Sequence, residues 1–136
     1  MSDFPSVLVV EDSDVDMEAI VRVLRRSHPH VHVDRLADGG EAVSWLLKAA
    51  RLPRVVLLDL NLVGKDGRDV LRGIRREAAL AELPVVVLTS STNPRDVEEC
   101  YAAGATGYLF KSVDFALLQS TLTAGIEYWL RQPLSS

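Results

Sequence analysis

Apolar residues along the chain follow two kinds of pattern. Three runs, Val7–Val10, Val55–Leu58 and Val85–Leu88, are continuously apolar, as expected of strands buried on both faces of a parallel sheet. Two shorter segments, Val31–Asp34 and Tyr108–Phe110, complete a set of five. Between and after them, helical spacing of apolar positions predicts helices over Asp14–Arg26, Gly40–Ala50, Arg68–Arg76, Pro94–Ala103 and Val113–Leu130. Strand and helix alternate five times. With right-handed crossovers this order predicts an α/β, doubly wound, five-stranded parallel sheet of strand order 2-1-3-4-5 with five helices. Local punctuation agrees with these bounds: Ser13 can cap the first helix, Pro94 suits a first turn after Asn93, Asp66-Gly67 reads as a turn, and Gly104 ends the fourth helix. The tail Gln132–Ser136, which contains Pro133, is expected to leave the last helix.

Length and composition narrow the class without naming a function. A chain of 136 residues with 48% hydrophobic and 25% charged residues is expected to form one domain, with a core over about residues 6–131 and no effector domain. A net charge of -4 argues against direct nucleic-acid binding, which rests on clustered Lys and Arg. The densest basic group, Arg22, Arg25 and Arg26, reads as a solvated helix face. Cys100 is the single cysteine, so no internal disulfide forms, a reducing compartment is expected, and the side chain is expected in the core. The start MSDFPSV lacks a signal-peptide pattern, and no stretch approaches the roughly 20 apolar residues needed to span a bilayer. The expected location is the cytoplasm, without membrane contact. His28, His30 and His32 flank a strand start with Pro29 between the first two, a poor geometry for one metal.

Chemistry concentrates where the apolar runs end. Glu11-Asp12 follow VLVV, Asp59 follows VVLL, Thr89 follows VVVL, and Lys111 follows GYLF. In an open parallel sheet, ligands bind beyond the carboxyl ends of the strands, so these residues converge there. Clustered carboxylates suit a hard divalent cation such as Mg²⁺. A carboxylate facing metal, hydroxyl and ammonium suits acceptance of a phosphoryl group. Asp59, closing the central strand, is the preferred acceptor, because a buried acid there needs cation or hydrogen-bond partners. Of Glu11 and Asp12, backbone alternation aims one at the metal and leaves the other to act through water. Asn61 can offer its backbone carbonyl to the metal. Thr89 can donate its hydroxyl to a phosphoryl oxygen, with Ser90 and Ser91 as competing neighbours. Lys111 can pair with Asp59 before transfer and with the phosphoryl group afterwards.

Together, VLVVEDS, VVLLDLNL with Asp66-Gly67, VVVLTSS and GATGYLFK resemble the receiver domain of bacterial two-component response regulators over nearly the whole chain. The resemblance implies the flavodoxin-like (CheY-like) fold and a response regulator that accepts a phosphoryl group on Asp59 from a histidine kinase's phosphohistidine. It implies Mg²⁺ bound by Asp12, Asp59 and the Asn61 carbonyl, with Glu11 in the outer shell. Tyr108 matches the family's switch aromatic, expected to turn inward as Thr89 moves toward the phosphoryl group. Such a protein is not an enzyme beyond its own phosphorylation and dephosphorylation. Two positions depart from the family pattern: Ser112 stands where most receivers carry a cis proline, and Val63 replaces a usual proline.

The Lys111-Ser112 pair, VVVLTSSTNPRDVEECY and AGIEYWL are most similar to the small regulators that partner phytochrome kinases. That likeness implies a phytochrome sensor kinase as partner, a downstream protein of unstated identity, and a homodimer through the fourth helix, fifth strand and fifth helix. A partner surface also follows from the last helix, where Leu118, Leu122, Ile126 and Trp129 form one stripe and Leu117, Thr121, Ala124 and Tyr128 a second. The interface is expected at Tyr101, Tyr108, Leu117, Tyr128 and Trp129. Other readings are a phosphorelay intermediate, a non-phosphorylated pseudo-receiver, and a haloacid-dehalogenase-like phosphatase. The last needs a second acid two residues after the nucleophile, where this chain has Asn61.

Overall fold

The three continuously apolar runs occupy the middle of a five-stranded parallel sheet. The computed structural model describes residues 5–131; the predicted departure of Gln132–Ser136 lies outside the described residues. Strands β1 (Ser6–Val10), β2 (His32–Leu36), β3 (Val55–Asp59), β4 (Val85–Thr89) and β5 (Gly107–Phe110) lie in the order β2-β1-β3-β4-β5. Every adjacent pair is parallel. Side chains of successive residues leave opposite faces of a strand, so each run supplies two cores. Leu8, Val10, Val56, Leu58, Val85 and Val87 pack under helices α2 (Ala42–Lys48), α3 (Gly67–Arg76) and α4 (Pro94–Ala102). Val7, Val9, Val55, Leu57, Val86 and Leu88 pack against α1 (Asp14–Ser27) and α5 (Phe115–Arg131). Leu118, Leu122 and Ile126 bury the inner stripe of α5 as its spacing predicts, and Cys100 is fully buried.

The segment starts are set by local hydrogen bonds. Ser13 caps α1 by accepting the Asp16 N–H at 3.2 Å, and Asp14 and Asp16 in that first turn complement the helix dipole. Asn93 caps α4 with Pro94 in the first turn. Gly104, at φ +112°, ends that helix in a conformation glycine adopts without strain. Gly67 opens α3 for another reason: a Cβ there would stand 2.7 Å from the Asp59 carbonyl oxygen and 2.8 Å from Leu60 Cα. The end of β3 therefore lies directly on the start of α3.

Several boundaries differ from the pattern-based expectation. β2 runs to Leu36 rather than ending at Asp34, because its register is set by pairing, Ser6 with His32 through Val10 with Leu36, and not by its own polar sequence. The second helix opens with a 3-10 turn, Gly39–Glu41, capped by Asp38, and its α-helical part stops at Lys48. α5 begins at Phe115, not Val113, because the Asp114 carboxylate accepts the Leu117 N–H and the Ser112 hydroxyl accepts the Asp114 N–H. Asp66 is a helix cap rather than a turn residue, accepting the Arg68 N–H. A two-residue ladder, Asn61–Leu62 with Lys65–Asp66, closes over Gly64 after β3. At the amino ends of β1 and β3, the Arg54 N–H donates to the Ser6 carbonyl at 2.8 Å, and its guanidinium donates to the Trp129 carbonyl at 3.4 Å.

Candidate functional site

The carboxyl ends of β1, β3 and β5 meet around one cleft of about 350 Å³, lined by Glu11, Asp12, Asp16, Asp59, Asn61, Ser90 and Lys111 among others. Its floor is charged and buried. Glu11 and Asp59 are 1% and 5% exposed, a position that is costly for carboxylates without cationic partners. Lys111 supplies one, its Nζ lying 3.0 Å from Glu11 and 3.3 Å from Asp59. Glu11, Asp12 and Asp59 bring carboxylate oxygens within 4.8 Å of one another. Such a set of hard oxygen donors fits a divalent cation, whose charge offsets the mutual repulsion of the acids. The Asn61 N–H donates to Asp59 Oδ1 at 3.1 Å, which draws the start of the two-residue ladder against the end of β3. Asp12 accepts the Val63 N–H, so the same ladder is tied to the acid pair.

Protonation follows from burial. Desolvation raises the Glu11 carboxyl to about 7, reinforced by a hydrogen bond shared with Asp59 and opposed by Lys111. For Lys111, burial works against the ammonium, but hydrogen bonds to Asp16 and Glu11 overcome it and hold the group charged above the ordinary lysine range. The floor of the cleft therefore carries one fixed cation among acids.

The hydroxyl predicted at the end of β4 sits behind this cleft. Thr89 is fully buried and its Oγ1 accepts the Ser91 N–H at 3.0 Å, while Ser90 lines the cleft itself. The Tyr108 hydroxyl donates to the Ser91 carbonyl at 2.7 Å, and burial pushes the phenol up from its ordinary value. Thr89 and Tyr108 thus hold the same residue from its two backbone sides. Ser91 also donates through its hydroxyl to Asp96 of α4.

Two participants escape a reading of strand ends. Asp16 contacts Lys111 at 2.9 Å from the first turn of α1; nothing in its local sequence separates it from an ordinary dipole-complementing acid. Arg68 joins Asp66, Asp96 and Glu99, linking α3 to α4. The basic group Arg22, Arg25 and Arg26 is solvent-facing as expected, with one addition: Arg22 and Arg26 sit 5.4 and 5.6 Å from the Phe115 ring centroid. Among the expected interface residues, Tyr101, Leu117 and Tyr128 are exposed. Tyr108 and Trp129 are half-buried. Trp129 packs on the α1/α5 core and meets Tyr128 edge-on at 4.7 Å. The Lys111–Ser112 bond is trans, like all peptide bonds among the described residues.

A parallel sheet in this order, with acids, a lysine and a buried threonine at its strand ends, is the architecture of a signalling receiver, and the comparisons agree. The model of the response regulator receiver domain matches residues 7–123, and the chain belongs to that family. It is 38% identical over 130 residues to the response regulator Rcp1 of Synechocystis, spanning 91% of this chain and 88% of the relative. It is also 38% identical over 128 residues to a probable methanogenesis regulatory protein, FilR2, of Methanothrix harundinacea, spanning 91% and 83%. The phosphorylated cyanobacterial phytochrome response regulator RcpA superposes with a TM-score of 0.87 at 34% identity, covering 98% of this chain and 99% of that one. A structure of Rcp1 with Mn²⁺ bound superposes with a TM-score of 0.82 at 36% identity, covering 97% and 99%.

Proposed function

We propose that the protein is a phosphoacceptor switch in which Asp59 takes a phosphoryl group from the phosphohistidine of a sensor kinase. The observation that carries this reading is the buried Asp59 carboxylate, 3.3 Å from the Lys111 ammonium and grouped with Glu11 and Asp12. An Asp59 oxygen attacks phosphorus, the phosphorus–nitrogen bond breaks, and its electron pair returns to the kinase imidazole. Lys111 neutralises charge on the transferring group. Asp12, Asp59 and the Asn61 carbonyl would hold Mg²⁺, with Glu11 in the outer shell. The ion supplies electrostatic stabilisation of the phosphoryl oxygens when bound. That the similar Rcp1 takes up Mn²⁺ supports divalent-ion binding by this chain.

Thr89 and Tyr108 would carry the signal outward. A threonine hydroxyl that moves to a phosphoryl oxygen surrenders its bond from the Ser91 N–H, and Ser91 is also the residue that anchors Tyr108. The surface of α4, β5 and α5 then changes as a unit. Similarity to the phytochrome response regulator RcpA supports a phytochrome kinase as the donor, and the exposed aromatics of α4 and α5 support a homodimer. Incubation with acetyl phosphate and Mg²⁺ tests the central claim. Acid-labile label should appear in the wild type and be lost in Asp59→Asn; persistent stoichiometric labelling of that variant sinks the assignment. Phosphotransfer profiling across purified histidine kinases tests the donor, with a phytochrome kinase expected to transfer fastest.

A further inference from the structure

Lys111 has one more partner than the phosphoacceptor role accounts for. Its Nζ lies 2.9 Å from Asp16, 3.0 Å from Glu11 and 3.3 Å from Asp59, so three carboxylates face the three N–H donors of one ammonium. Asp16 differs from the other two. Its side chain is 42% exposed, and it stands outside the acidic group formed by Glu11, Asp12 and Asp59.

Its orientation is fixed by local structure. The Ser13 cap holds the Asp16 N–H, which sets the first turn of α1. Asp14, two residues earlier in the same turn, pairs instead with Arg35 at 2.8 Å. An acid in a first helical turn is favoured by the helix dipole whatever it touches. The dipole does not require that acid to reach across to the end of β5.

A lysine head is a compact charge on a flexible four-carbon stem, and stabilises a transferring group only as well as it is placed. Glu11 holds this head from the buried side of the cleft and Asp16 from the exposed side, leaving one N–H for Asp59. We infer, resting on the phosphoacceptor reading, that Asp16 is a positioning residue that fixes the Lys111 ammonium toward the Asp59 oxygens and the phosphoryl group they receive. A simple charge effect has the opposite sign: removing an anion from the rim of a site that admits an anionic phosphodonor should speed transfer.

The test uses the full chain, acetyl phosphate and Mg²⁺, with Asp16→Ala and Asp16→Glu beside the wild type. Asp16→Ala should take up label about 10-fold more slowly, the scale expected of a modest misplacement, and Asp16→Glu should recover most of the rate. The ¹⁵N shift of Lys111 Nζ should move in Asp16→Ala and return in Asp16→Glu. Labelling as fast as wild type, or faster, overturns the positioning role while leaving Asp59 as acceptor. Slower labelling with an unmoved Lys111 Nζ overturns it as well, because the loss then comes from elsewhere in α1. A wild type that takes no label at Asp59 overturns the phosphoacceptor reading itself.

Discussion

Thr89 has no exposed surface, and its hydroxyl oxygen accepts the Ser91 N–H. A hydroxyl both accepts and donates, so Thr89 can turn its proton from the neighbouring Tyr108 phenol to a phosphoryl oxygen. Thr89→Val should retain labelling at Asp59 but leave the Ser91 N–H unpaired, a loss of about 1 kcal/mol in a denaturant titration. The same variant should show no beryllium-fluoride-induced shift of amide resonances around Tyr108. For the acids, Asp12→Ala should weaken Mg²⁺ binding more than Glu11→Ala. On the proposed ligand set the latter removes an outer-shell group, for which losses of roughly 10- to 100-fold are typical; equal losses in a metal titration would count against the assignment. The meeting of Glu11, Asp12, Asp59 and Lys111 at one cleft was legible in the sequence because each follows an apolar run, and a polar group at a buried strand end needs a partner. Asp16 and Arg68 were not. Their partners lie on distant segments, and a first-turn acid or a helical arginine has an ordinary local explanation.

The link between α3 and α4 is made by a single arginine. Arg68 on α3 reaches Asp96 and Glu99 on α4 while holding its own cap residue, Asp66, and Asp96 receives the Ser91 hydroxyl. Arg68→Ala should cost about 1 kcal/mol, a value set by partial solvent screening of the cluster. Its pH dependence has a definite sign. The hydrogen bond from Arg68 keeps the Asp66 carboxyl below the usual carboxylate range. A depressed folded value adds stability above the unfolded value, and that stability disappears as pH falls through the folded one. The deficit of Arg68→Ala should therefore be full at neutral pH and shrink in acid below about pH 4, as urea titrations across that range can show. A constant deficit would place the effect in packing instead. At this scale the central strands were legible from continuous burial, whereas the bounds of β2 and the start of α5 were not. The bounds of β2 depend on register with β1, and the α5 start depends on the Asp114 side-chain bond.

The outward face of the molecule carries Tyr101, Leu117 and Tyr128 at 49%, 51% and 62% exposure. Large exposed aromatics are favoured anchors for a two-fold contact. Sedimentation should show a dimer, and Tyr128→Ala should weaken it by about 2 kcal/mol, roughly 30-fold in dissociation constant. A monomer at high micromolar concentration, with and without beryllium fluoride, would leave this face to another partner. Trp129 should contribute to stability as well, since it packs on the core; Trp129→Ala is expected to lower the melting temperature, unlike Tyr128→Ala. The amino end of the central strands has a separate use. Because Arg54 touches both Ser6 and Trp129, the chain enters and leaves the folded body through one narrow doorway, away from Asp59. An engineer could splice this body into a surface loop of a host protein through Ser6 and Trp129, leaving the acidic cleft clear of the junction.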